Sequence, residues 1–314
     1  MRILVTGGCG YIGSITAKEL VDQGNKVVIY DKKNNQEIQD IELLEKTLKK
    51  EKIEAVMHFA AFIEMGESMK NPFKYFDNNV VGSLNLFETM RKTGVNKLIF
   101  SSTAGVYGNP VRVPIKEDDQ KQPENPYGES KLMVEKLLKW YDKIYGLKSI
   151  SLRYFNAAGA TLDGKYGENH KPESHLIPNI IKAAIKGDKF KLFGDDYPTP
   201  DGTCIRDYIH VLDLAKAHIL ALKALNDGHK TDVFNVGTGV GYSNKQVIEM
   251  VKLVTGIDFK VLIKERRPGD ADELVADSNK IQNEFKWKPE YSDLKTIVKT
   301  AYKYHNKVGN FNNC

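Results

Sequence analysis

Three features of the 314-residue sequence predict an α/β fold: a doubly wound parallel Rossmann sheet with a smaller C-terminal α/β domain. Short apolar runs alternate with amphipathic stretches of helical length through the first half. The first of these runs leads straight into a glycine-rich turn, and the alternation stops near residue 156. Residues 3–5, 27–30, 55–59, 97–100 and 150–155 read as strands. Their apolar runs are continuous, as burial beneath helices on both faces requires. Segments 15–23, 41–50, 84–92 and 132–144 carry helical spacing, so the first half is a succession of βαβ units. Beyond residue 156, Gly, Pro, His and Asp become frequent over 159–178 and 194–202, which read as long polar loops of the binding kind. The expected domains are therefore 1–155 and 156–314. A return of part of 206–240 to the first sheet, involving 207–211 through 234–237, is left open.

Composition narrows the class. Lys plus Arg is 46 against 41 for Asp plus Glu, a balance of +5 that is too small and dispersed for a nucleic-acid partner. Only seven bases are Arg, and each is a candidate for bidentate anion recognition. Cys9, Cys204 and Cys314 form no C-x-x-C pair, so neither a disulfide framework nor a zinc cluster is indicated, and a reducing cytoplasm is expected. No run of eighteen apolar residues suggests a membrane span, and residues 1–7 run into a strand and turn without a secretory pattern. His58 and His210 sit in strand-like runs and read as core histidines, and no metal is expected.

Three motifs carry chemistry. Gly7-Gly8-Cys9-Gly10-Tyr11-Ile12-Gly13 lies between the first strand and a helix expected to start near Ser14. Glycines there allow a tight turn and close approach of a pyrophosphate to the helix N-terminus. Asp31 ends the second strand, where a carboxylate accepts hydrogen bonds from a ribose 2′-hydroxyl and repels a 2′-phosphate, favouring NAD over NADP. In Tyr127-Gly128-Glu129-Ser130-Lys131, after Asn125-Pro126, the tyrosine and lysine share one helix face. An ammonium beside a phenol favours the phenolate and turns it into a base. Thr103, in Ser101-Ser102-Thr103 at the end of a central strand, faces the crevice and can relay a hydroxyl proton towards Tyr127.

With these motifs the chain resembles the extended short-chain dehydrogenase/reductase family, in its branch of UDP-hexose 4-epimerases, over nearly its whole length. The resemblance runs through His58-Phe59-Ala60-Ala61, Gly66-Glu67-Ser68, Asp77-Asn78-Asn79-Val80, Arg153-Tyr154-Phe155-Asn156, the run from Gly202 to His210, and Arg266-Arg267-Pro268-Gly269-Asp270. It implies an isomerase with tightly held NAD that interconverts UDP-glucose and UDP-galactose. Tyr127, with Thr103 beside it, takes the proton of the sugar 4-hydroxyl while C4 gives its hydride to the nicotinamide. The 4-keto hexose then swings about its diphosphate link and takes the hydride back on its other face. Lys131 holds the nicotinamide ribose and depresses the Tyr127 pKa. The resemblance further assigns Gly7, Gly10, Tyr11, Ile12, Gly13, Asp31, Asp40, Ile41, Phe59, Ala60, Ala61, Asn78, Tyr154 and Phe155 to the cofactor. It assigns Asn156, His175, Leu176, Phe193, Arg206, Arg267, Asp270 and Leu274 to the UDP-sugar. Residues 1–155 become the NAD-binding domain and 156–314 the UDP-sugar domain. Helices at 79–93 and 127–145, with apolar stripes, are expected to pair in a homodimer.

The chain departs from the family pattern in three places. Thr103 replaces a common Ser and keeps its hydroxyl. Ser174-His175 stands where many members have Asn-Asn, and His175 can still donate to a phosphate. Between Asp31 and Asp40 there is no apolar run for the family's third strand, although Asp40 and Ile41 match its adenine-binding pair. Two alternatives compete: a nucleotide-sugar enzyme of the same family, such as a UDP-GlcNAc 4-epimerase or a sugar dehydratase, and a non-catalytic NAD-binding sensor. Related dehydratases carry Asp-Glu after the Thr103 position, where this chain has Ala104 and Gly105; a sensor would normally lack Tyr127 or Lys131.

Overall fold

The computed structural model describes residues 1–170, 172–267 and 270–311, so Pro268, Gly269 and Cys314 lie outside the described residues. In chain order the first half comprises β1 (Arg2–Thr6), α1 (Tyr11–Asp22), β2 (Lys26–Tyr30), α2 (Ile41–Lys50), β3 (Ala55–His58), α3 (Met65–Ser68) and α4 (Pro72–Tyr75). A π-helical turn, Phe76–Val81, leads into α5 (Gly82–Thr93), followed by β4 (Lys97–Thr103), α6 (Pro126–Tyr145) and β5 (Lys148–Tyr154). The second half holds β6 (Asn156–Ala158), α7 (Leu176–Lys186), β7 (Phe190–Phe193), β8 (Ile205–His210), α8 (Val211–Asn226), β9 (Asp232–Val236) and β10 (Gly241–Ser243). It ends with α9 (Asn244–Thr255), β11 (Val261–Lys264), β12 (Glu273–Leu274), α10 (Asn279–Phe285) and α11 (Leu294–Phe311).

The main sheet has six strands in the order β2-β1-β3-β4-β5-β9, all parallel. Apolar residues on both faces of the strands build its two cores. In β1, Ile3 and Val5 face the cluster shared with α1 and α8, while Leu4 faces the one shared with α2, α5 and α6. The order reverses at β1, whose neighbours are β2 and β3, and ligands of such sheets bind beyond the strand carboxyl ends at that reversal. Helix ends are marked by local chemistry. The Asn125 side chain accepts from the Gly128 N–H at 2.9 Å and Pro126 takes the first turn of α6, which Gly146 closes in the left-handed conformation.

The structure refines the expected elements in three places. Helix α1 starts at Tyr11, three residues before the expected position, because Gly10 itself is the N-cap and the turn feeds the helix directly. Strand β2 is half-exposed, not covered on both faces. The segment after it makes only a 3₁₀ turn at Lys32–Asn34, leaving β2 at the sheet edge. Of the segments that could rejoin the sheet, only β9 does, with Phe234 beside Leu152 on β5. Strand β8 forms a second sheet instead, between β10 and β12 and also pairing β6; β7 and β11 pair separately. That second sheet sets Leu274 beside Arg206, and Asn156 beside Tyr208.

Candidate active site

A cavity of about 520 Å³ opens beyond the carboxyl ends of β1, β3, β4 and β5. One end is floored by the glycine turn, and the reason for glycine is steric. Gly7 has φ +70° and a Cβ there would lie 2.6 Å from the Ala60 nitrogen; at Gly13 it would lie 2.4 Å from the Gly7 carbonyl oxygen. Helix α1 enters this end with no side chain capping it, so its first N–H groups remain available to an anion. Asp31 stands at the same end, buried, accepting the Cys9 and Lys33 N–H groups at 2.9 Å each, with lone pairs left for ribose hydroxyls. The two lysines after it are engaged elsewhere. Lys33 donates to the Cys9 carbonyl at 3.1 Å and Lys32 lies 4.3 Å from the centre of the Phe62 ring. Gly10, Tyr11, Ile12, Phe59, Ala60, Ala61, Asn78, Tyr154 and Phe155 also line the cavity. Asn78 reaches it from the π-helical turn, which neighbouring Asn79 anchors by accepting from the Phe62 N–H at 2.9 Å and donating to Ser130 at 3.1 Å. A turn that side chains would block, open helix N–H groups and a ribose-seeking carboxylate fit a dinucleotide.

Thr103 and Tyr127 both line the cavity. Burial pushes the Tyr127 phenol up to about 12, while its hydrogen bond with the Thr103 hydroxyl pulls it down. Lys131, one helical turn further, is buried and donates to the Ser101 carbonyl at 2.8 Å; burial pushes it down to about 7 and Glu135 opposes that. The sequence reading places the ammonium beside the phenol, lowering its pKa. In the protein alone the phenol is raised by burial and lowered by Thr103 rather than by Lys131, which is seated on a backbone carbonyl.

At the other end, Asn156, Leu176, Arg206, Asp270 and Leu274 line the cavity together with His175. Burial raises the Asp270 carboxyl, and the Arg206 and Arg267 charges oppose it. Five expected site residues stand outside the lining: Asp40, Ile41, Lys131, Phe193 and Arg267. Asp40 caps α2, accepting the Leu43 N–H at 2.9 Å, and Gln36, Glu37 and Ile38 line the wall instead. The Arg267 guanidinium stacks on the Phe193 ring at 4.1 Å. Of the seven arginines, Arg206 alone lines the cavity, which corrects the expectation drawn from their scarcity. Arg91, Arg112, Arg153 and Arg266 are paired with Glu88, Asp119, Glu135 and Asp196. His58 and His210 are core histidines, held neutral by burial at about 3 and about 4.

One cluster escapes the sequence reading. Glu168, His170, Glu173 and His175 converge on the cavity wall in a Glu-x-His-x-x-Glu-x-His spacing that would have revealed them. The His175 Nδ1 bonds Glu168, leaving only its Nε2 for a phosphate. Phe62 and Ile63 also line the cavity without any sequence signal beyond their apolar character, and Tyr208 lines it from the run Gly202 to His210.

Residues 3–237 match the NAD dependent epimerase/dehydratase family. The UDP-glucose 4-epimerase of Lactobacillus helveticus is 50% identical over 320 residues, 97% of each chain. The solved UDP-glucose 4-epimerase of Brucella ovis, in complex with NAD, is 43% identical with a TM-score of 0.92, over 96% of this chain and 97% of that one. The UDP-Glc/GlcNAc 4-epimerase of Campylobacter jejuni is 41% identical with a TM-score of 0.83, over 98% of this chain and 99% of that one. The match over the dinucleotide turn, the Thr103–Tyr127–Lys131 set and the opposing Arg206 wall therefore has one reading: this chain belongs to the NAD dependent epimerase/dehydratase family, in its UDP-glucose 4-epimerase branch.

Proposed function

We propose that this protein is an NAD-dependent isomerase interconverting UDP-glucose and UDP-galactose, with residues 1–155 and β9 holding the cofactor and most of 156–314 the UDP-sugar. The carrying observation is that Thr103 and Tyr127 line the same cavity as the glycine turn, Arg206 and Leu274. When bound, NAD accepts the hydride from C4 of the sugar and returns it. Tyr127 removes the 4-hydroxyl proton, helped by the Thr103 hydroxyl, and gives it back to the 4-keto hexose. The positive charge of Lys131 and of the oxidised nicotinamide offsets the burial that raises the phenol. Arg206 holds the diphosphate through its forked guanidinium, leaving the hexose free to present either face. Ala104 and Gly105 line the cavity next to Thr103 and cannot transfer protons, which speaks against a dehydratase. Purified protein given UDP-galactose should form UDP-glucose; bound NAD without sugar conversion would support the sensor reading instead.

We place the enzyme in the cytoplasm, in galactose metabolism, as a homodimer; among the described residues no helix is long and apolar enough to cross a membrane. Along α6, Met133, Trp140 and Ile144 are exposed at seven- and four-residue spacing, and Val81, at the end of the π-helical turn before α5, is exposed as well. Apolar residues repeated in this way suit a two-fold helix pairing.

The edge position of β2 has a consequence for the cofactor. Among the described residues no strand flanks the adenosine end, and its wall is the 31–40 loop, held by the Tyr30 hydroxyl on the Glu37 carbonyl at 3.0 Å and by buried Ile38. NAD should therefore exchange with solvent, and dialysed protein should regain activity when NAD is added. Stoichiometric NAD surviving extensive dialysis would refute this.

Leu274 sets a limit on the hexose. In the resembling family, glucose-restricted members carry Tyr at this position and N-acetyl-accepting members carry Cys or Ser. Leu leaves more room than Tyr and less than Cys or Ser. A mismatch of about one methylene is worth roughly 1–3 kcal/mol, or about 10- to 200-fold in specificity. UDP-Glc and UDP-Gal should turn over strongly and UDP-GlcNAc weakly, and Leu274→Tyr should abolish only the weak activity. Equal loss on both substrates would remove Leu274 from this role.

A further inference from the structure

We propose that Glu168, His170, Glu173 and His175 form a four-ligand site for a divalent transition ion, Zn²⁺ by the chemistry of its donors, which clamps the loop before α7 against the cavity wall. These residues offer one ligand atom each, all within 4.8 Å of one another. The His170 Nδ1 lies 3.3 Å from the Glu168 carboxylate and 3.7 Å from that of Glu173, and the His175 Nδ1 lies 4.0 Å from Glu173. Ligands about 2.0–2.1 Å from a tetrahedral Zn²⁺ stand about 3.3–3.4 Å apart, so an ion enters by parting the hydrogen-bonded His175 Nδ1 and Glu168 and drawing Glu173 slightly inwards.

The hydrogen bonding supports the same reading. The His170 Nδ1 is buried and lacks a hydrogen bond, although two carboxylate oxygens lie near it. A group so placed has electrostatic company and no directional partner, which an ion at the centre would supply. Both carboxylates are buried, their side chains 4% and 6% exposed. Two carboxylates and two neutral imidazoles balance a doubly charged ion, and metal entry would release the protons that the histidines otherwise hold. Outer partners already orient the ligands. Glu173 accepts from the Ser174 and His175 N–H groups on one oxygen, and from the Lys182 ammonium at 3.0 Å on the other. The lysine charge counts against a cation, but it sits on the oxygen that accepts the His170 backbone N–H, while the other oxygen is the one nearest both imidazoles. Two imidazoles in the donor set disfavour Mg²⁺ and Ca²⁺, which prefer oxygen. Four protein ligands fill a tetrahedron, so the ion would be structural, fixing His175 and Leu176 at the start of α7 where the sugar diphosphate is expected to lie.

The test uses the full chain, stripped with a chelator, desalted, then saturated with NAD and titrated with Zn²⁺. Calorimetry and elemental analysis should give one ion per chain, and the thermal midpoint should rise with Zn²⁺. His170→Ala and Glu173→Gln should each weaken binding by more than the roughly 10- to 100-fold that outer partners are worth. His229→Ala, in a separate His229–Asp232–Glu284 group, should leave it unchanged. Because the variants are compared by their Zn²⁺-dependent shift, altered stability of the metal-free protein does not mask the result. Absence of uptake, or uptake undiminished in both ligand variants, would overturn the site, whatever the sugar assays show.

Discussion

Tyr127→Phe should lower turnover of UDP-galactose by roughly 10²- to 10⁴-fold while leaving NAD binding intact. The substitution removes one oxygen from a ring that is already packed in the cavity, so folding and cofactor binding keep their contacts. The proton acceptor for the 4-hydroxyl is lost, and no neighbour replaces it. Thr103 has a hydroxyl of far higher pKa, and it accepts the Gly105 N–H at 3.0 Å. The Tyr154 hydroxyl is bonded to Ser101 and lifted further by burial. Steady-state assay of the variant, with NAD binding followed separately, checks the result. Near wild-type turnover would remove Tyr127 from the role of base.

The strands and the cofactor end of the site were legible because each rests on a short-range rule. Continuous apolar runs specify strands buried on both faces, and Gly7, Gly10 and Gly13 occupy places where a Cβ meets backbone. What escaped depended on partners distant in sequence. Nothing near Arg153 shows that its guanidinium belongs to Glu135, eighteen residues away; its position beside Tyr154 and Asn156 suggests a ligand equally well. Asp40 matched an adenine-binding position, yet a carboxylate just before a helix is also an N-cap, and the local hydrogen bond took it. The Glu168–His175 cluster is hard to see in the sequence because its histidines have local explanations taken singly, His175 as a phosphate donor and His170 as loop polarity. The edge exposure of β2 follows from a missing element, which a reading of the strand itself does not register.

Arg153→Met should destabilise the protein by about 3–5 kcal/mol, because it leaves the Glu135 carboxylate buried and without its counter-charge. The pair is 3% exposed on each side, with Arg153 donating to Glu135 at 2.9 and 2.6 Å. Ser102 on β4 donates to the same carboxylate at 2.6 Å, and the other arm of Arg153 reaches the Tyr107 hydroxyl at 2.8 Å. Tyr127, Lys131 and Glu135 are spaced by four on α6, so the pair secures to β4 and β5 the same helix row that carries the proposed base and its lysine. A thermal midpoint lower by on the order of 5–15 °C is expected. Removing both charges in Arg153→Met/Glu135→Leu should restore most of that loss, since well-packed apolar replacements of buried ion pairs are often neutral. If the double variant remains as unstable as the single, shape rather than charge balance holds α6 in place. An unchanged midpoint in the single variant would show that water reaches the carboxylate and that the helix row is secured by its apolar contacts alone.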